Sequence, residues 1–105
     1  MRVVNTDTRG LQFRIDYPVT PASSSFTTYS AHLMPCEFYN FPDEHPLADD
    51  ENGHGWLFVI EMHGQETRRE YFEHFADGRR LYQECINSFV SNCSAIVCGF
   101  YEGKV

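Results

Sequence analysis

The sequence predicts an α+β protein, with a mostly antiparallel β-sheet of about five strands and one α-helix, at residues 78–91, packed on one face. Three observations carry that prediction. Leu11–Tyr17 alternates apolar and polar residues without an error, the period of a half-buried strand. Trp56–His63 is a β-branched and aromatic run followed by a glycine and a charged return segment, the pattern of a hairpin. Leu81, Tyr82, Cys85, Ile86, Phe89 and Val90 recur at helical spacing and form one apolar stripe.

Each element follows in order along the chain. Pro18 closes the first strand, and Pro21–Ser25 reads as a small polar loop. Phe26–Met34 reads as a second strand with Tyr29, Ala31 and Leu33 on one face. Cys36–Phe41 is a shorter strand candidate between Pro35 and Pro42. Pro42–Gly55 holds two prolines, two glycines, two histidines and five acids, so it reads as an exposed loop. Loops of that length are usually functional or mobile. Gly64-Gln65 fits a type II′ turn, which would set Glu61 opposite Arg68 and Phe58 opposite Tyr71 across the return strand Glu66–Phe75. Asp77 suits a helix N-cap and Asn92 a helix stop. Ser94–Tyr101 returns as a strand too continuously apolar for an exposed edge, with Glu102–Val105 as a frayed tail.

The charge pattern narrows the function classes. From Ile15 through Thr67 there is no lysine or arginine, and nine acids fall in that stretch: Asp16, Glu37, Asp43, Glu44, Asp49, Asp50, Glu51, Glu61 and Glu66. The segments on either side nearly balance, so this stretch sets the net charge of −7. Such a field repels nucleic acid and membrane surfaces and attracts basic protein surfaces or metal ions. The arginine doublets 68–69 and 79–80 are flanked by acids, so no phosphate-tracking surface is legible. The 105 residues suit a single domain, 1–105. The opening residues hold no secretory apolar run and no window reaches a membrane span, so a cytoplasmic protein is expected, with Cys36, Cys85, Cys93 and Cys98 as free thiols.

Candidate chemistry is sparse. Asp50, Asn52, His54, Gly55, Leu57 and Glu61 match much of a twelve-residue calcium loop, but histidine is a poor hard-cation ligand and the flanking helices are missing. His45 and His54 with Asp49, Glu51 or Cys36 could hold a transition metal, although no C-x-x-C or H-x-x-x-H spacing is present. Glu61 and His63 would share one strand face as an acid/base pair, while Glu73 and His74 would point apart. No nucleophile signature occurs, and no catalytic residue, metal or cofactor is assigned.

The leading expectation is a non-enzymatic protein-binding inhibitor or regulator. Its partner-binding residues would be Glu37, Phe38, Tyr39, Asp43, Glu44, Asp49, Asp50, Glu51 and Trp56, with Phe41 nearby. The acids would steer and specify, and the aromatics would supply buried anchor area. The same acids can also serve solubility alone. The strand at 11–17 could add its edge to another sheet or make a homodimer.

In size, acidity and the Glu66–Tyr101 strand–helix–strand run opened by Asp77, the chain resembles the small phage and mobile-element inhibitors of the anti-CRISPR type. Those inhibitors share no sequence motif, so the resemblance covers architecture and carries no residue across. It implies a partner with a basic surface, a CRISPR effector or another nucleic-acid-binding complex, and no direct contact with nucleic acid or membrane. Immunity proteins, antitoxins and small phage structural proteins fit the same description. The alternative from another class is a small metal-dependent enzyme or metal-binding protein using His45, His54 and the neighbouring carboxylates.

Overall fold

Alternation along each strand decides which side chains meet the helix, and the register turns those positions into one apolar face. The computed structural model describes residues 10–18, 26–50, 52–93 and 99–104. The elements are β1 (Leu11–Pro18), β2 (Phe26–Glu37), β3 (His54–Met62), β4 (Gln65–Phe72), α1 (Phe75–Cys93) and β5 (Gly99–Lys104). They form one sheet in the order β4-β3-β2-β1-β5, with every neighbouring pair antiparallel. The fold is α+β, with α1 lying across β2, β3 and β4. Among the described residues no helix is long and apolar enough to cross a membrane.

The pairings Phe13↔Ala31, Ile15↔Tyr29, Leu33↔Phe58 and Ala31↔Ile60 put one set of apolar residues on the helix side. Tyr82, Cys85 and Ile86 of α1 complete a core with Phe13, Ile15, Tyr29, Leu33, Trp56 and Phe58. Tyr82 packs edge-on to Phe13 at 5.3 Å between ring centroids, and Phe89 lies 3.9 Å from Tyr29. The helical stripe read from the sequence is therefore the face that docks, except that Val90 is exposed.

Several sequence expectations are corrected. The strand at 11–17 cannot lend its edge to a partner, because β1 lies between β2 and β5. The short strand candidate at 36–41 is not separate: Cys36 and Glu37 end β2, and Phe38–Asn40 is a 3₁₀ turn. Pro35 sits inside β2, where a missing N–H would normally break a ladder. The Thr28 carbonyl faces β3, accepting the His63 N–H at 3.1 Å, so by alternation the odd positions of β2 face β1. β1 pairing stops at Leu33, so the nitrogen of Pro35 faces a side with no strand to bond among the described residues.

The hairpin turn is His63-Gly64, one residue earlier than predicted, with φ of 56° and 77°. Two positive φ values make it type I′ rather than II′. Glu61 consequently faces Glu66 instead of Arg68, and Phe58 faces Glu70 instead of Tyr71. A register shift at Ile60/Glu61 then absorbs Thr67, whose hydroxyl donates to the Ile60 carbonyl at 3.3 Å. Helix α1 starts at Phe75, so Asp77 is in its first turn, paired with Arg80 at 3.4 Å, and is not its cap. The helix runs through Asn92 to Cys93. Glu102–Lys104 belongs to β5, an edge strand, and not to a frayed tail. The first part of the predicted last strand, 94–98, including Cys98, lies outside the described residues.

Candidate partner-binding loop

The acidic connection between β2 and β3 is folded on itself. Phe38 N–H donates to the Gly53 carbonyl at 3.3 Å and closes its base. Successive turns follow, with His45 N–H to Pro42 O at 2.8 Å, Ala48 N–H to His45 O at 3.0 Å and Asp50 N–H to Leu47 O at 3.1 Å. Two side chains add to them: His45 Nδ1 accepts the Leu47 N–H at 3.2 Å, and Asp50 Oδ1 accepts the Asn52 N–H at 2.8 Å. A long segment with its ends joined and several of its backbone N–H groups bonded within it is a compact Ω-type loop.

Aromatic residues seat this loop on the sheet face opposite α1. Phe41 is buried, with its ring 5.4 Å from Phe38, 4.8 Å from His45 and 5.1 Å from Tyr71. Gly55 makes the seat possible. A Cβ there would lie 2.6 Å from Phe41 Cζ and 2.2 Å from the Phe72 carbonyl oxygen, closer than real Cβ contacts come. Leu57 and Val59 are also buried on this face, beside Met34, His32, Tyr71 and Arg69 on the adjoining strands. Arg69 is fixed there by Glu66 at 2.6 Å and by the Tyr71 hydroxyl at 3.0 Å.

The sequence-predicted residues divide into two groups. Glu37, Asp43, Glu44, Asp49 and Asp50 are exposed, and Tyr39, at 63% exposure, is the most exposed large apolar side chain among those described. Glu51 lies outside the described residues. Phe38 is half-buried, and Trp56 is core, 4.7 Å from Phe75, so Trp56 cannot serve as a contact anchor. A tryptophan opening the strongest strand is as consistent with packing as with recognition, and here it packs. Phe41 was noted only as a neighbour of the loop, yet it is the residue that holds the loop down.

The loop acids differ in their ion pairing from four acids elsewhere on the surface. Asp16, Glu66, Glu70 and Asp77 each pair with an arginine. Among the described residues, none of Glu37, Asp43, Glu44, Asp49 and Asp50 has an ion-pair partner.

Among the described residues, the other chemistry that the sequence offers is not assembled. Among the described residues, no group of three or more His, Cys, Asp or Glu side chains is placed to hold a metal ion. The calcium-like spacing fails for a geometric reason. His54–Glu61 is extended in β3, which separates those two residues by roughly 23 Å along the strand. Glu61 and His63 are not a pair on one strand face, since His63 is in the turn and within 3.3 Å of Thr27 Oγ1. Glu73 and His74 do not point apart but approach to 3.4 Å on the surface. Burial pushes the Cys36 and Cys85 thiols up, away from the reactive thiolate.

Set against family models, curated proteins and solved structures, the chain matches none of them.

Proposed function

We propose that this protein is a non-enzymatic inhibitor or regulator that docks its 42–55 loop on a basic surface of a nucleic-acid-handling protein, a CRISPR effector being one candidate. The observation that carries the reading is a folded, seated loop whose exposed carboxylates have no ion-pair partner among the described residues. A loop ordered before binding loses little conformational entropy when it docks. Carboxylates within about one Debye length, roughly 8 Å at physiological salt, act together on an approaching basic surface. Tyr39 beside Glu37 offers an exposed ring of the type that anchors interfaces.

The loop acids would occupy the positions that phosphates take on such a surface, so the partner would lose access to its nucleic acid. The test is capture from a host lysate with wild-type protein and with Asp43→Asn/Glu44→Gln/Asp49→Asn/Asp50→Asn. These changes remove charge without removing an ion pair, and asparagine at 50 can still accept the Asn52 N–H. The reading requires a partner that binds nucleic acid, is released by salt and is not retained by the variant. The same proteins held by both forms at the same salt would reject it.

A further inference from the structure

The half of the helix-free face that the loop does not cover carries a second feature. On β5, β1 and β2, the pairs Gln12↔Gly103, Arg14↔Tyr101, Arg14↔Ser30 and Gln12↔His32 bring six residues side by side. They line a shallow depression of about 430 Å³. Gly103 is one of its lining residues. A Cβ at Gly103 would meet nothing within 4 Å, and its φ is not positive, so neither packing nor backbone conformation requires glycine. A glycine inside a strand costs stability and often marks close approach by a ligand or another backbone.

Several polar side-chain groups around the gap have no protein partner among the described residues. The Arg14 guanidinium lies over the Tyr101 ring at 4.6 Å, and its Nε is 3.4 Å from Asp16. Both terminal NH₂ groups are left without a partner among the described residues. The side chains of Gln12, Ser30 and His32 likewise make no hydrogen bond among the described residues. An arginine over an aromatic ring with both terminal NH₂ groups available can pair with a planar carboxylate. A single guanidinium already shared with Asp16, with Glu61 opposite Ser30, suits a monoanion and disfavours a dianionic phosphate.

We propose that the depression over Gly103 is a binding site for a small monoanionic carboxylate with a planar body. Its carboxylate pairs with the terminal NH₂ groups of Arg14, and its body fills the space above Gly103 beside Tyr101. Nothing in this site depends on the acidic loop.

The test is an NMR titration of the ¹⁵N-labelled protein with benzoate, with neutral benzamide and with inorganic phosphate. Benzoate should give saturable shifts at Gln12, Arg14, Tyr101 and Gly103, with a dissociation constant on the order of 1 mM for so small a probe. Benzamide and phosphate should each bind at least about tenfold more weakly, since neither matches both the charge and the geometry. Gly103→Val fills the gap with a residue that favours strands, so it should keep its melting temperature and lose benzoate binding. Arg14→Met should lose the binding as well. Absence of saturable shifts, equal binding of benzamide or phosphate, or wild-type affinity in a folded Gly103→Val protein would each overturn the proposal.

Discussion

Alanine at Gly55 tests whether the acidic loop is seated on the sheet as described. The added Cβ would lie 2.2 Å from the Phe72 carbonyl oxygen, 2.6 Å from Phe41 Cζ and 3.2 Å from Phe38 Cε1. A relaxed carbon–oxygen contact is about 3.3 Å, so β3 and β4 must part by about 1.1 Å or the strand must twist. Overpacking a well-filled site costs typically about 1–3 kcal/mol. Partial expulsion of the buried Phe41 ring adds to that, since removing a buried phenylalanine altogether costs about 3–5 kcal/mol. A total of about 3 kcal/mol follows, near the top of the overpacking range. In urea unfolding, with a slope of about 1.5 kcal/mol/M, the midpoint should fall by about 2 M. Gly103→Ala is the matched control, because its Cβ meets nothing within 4 Å, and it should change stability by less than about 0.5 kcal/mol. A Gly55→Ala protein as stable as that control would refute the seating of Phe41 and, with it, the ordered loop.

Other consequences concern the hairpin and the core tyrosines. His63 is the one described non-glycine residue with positive φ, at 56°, so His63→Asn, which creates the favoured Asn-Gly type I′ turn, should stabilise by about 0.5 kcal/mol. A melting temperature at or below wild type would count against that turn assignment. Burial raises the pKa of both Tyr29 and Tyr82 above the ordinary 10.0, and for Tyr82 the hydrogen bond to Glu102 at 2.8 Å adds to the effect. Below pH 10 both tyrosines are neutral whether folded or unfolded, so stability is unaffected; above it only the unfolded chain ionises. Stability should therefore fall by about 1.4 kcal/mol per pH unit for each tyrosine above pH 10. Tyr82→Phe should make that alkaline slope shallower in chemical unfolding, and an unchanged slope would contradict the burial of its hydroxyl.

What the sequence disclosed depended on how local the deciding interaction is. The β1 alternation and the α1 stripe are periodic signals, and both mark the faces that pack. The loop was legible as well, because prolines, glycines and acids crowd between two apolar runs. The hairpin register was missed by one residue. Gly64 can sit in either central position of a tight turn, and the preference for positive φ at His63 comes from strand twist, which residue patterns do not encode. Pro35 suggested a strand break, whereas the register removes the need for its N–H. In the candidate site, the exposed acids could be found from charge alone. The burial of Trp56 and the anchoring by Phe41 depend on Phe75, Tyr71 and Gly55, distant in sequence from at least one of the pair they hold. The depression over Gly103 was invisible for the same reason, since Gln12, Ser30, His32 and Tyr101 meet only through strand order.

The central claim is that uncompensated loop carboxylates drive docking onto a basic partner. Its most direct test is the association rate with the captured partner, measured from about 50 to 300 mM salt, a range over which the screening length shortens by roughly 2.4-fold. Wild-type protein should associate fastest at low salt and slow steeply as salt rises, and the Asp43→Asn/Glu44→Gln/Asp49→Asn/Asp50→Asn protein should be slow and nearly flat. Superimposable salt profiles for the two proteins would contradict the account.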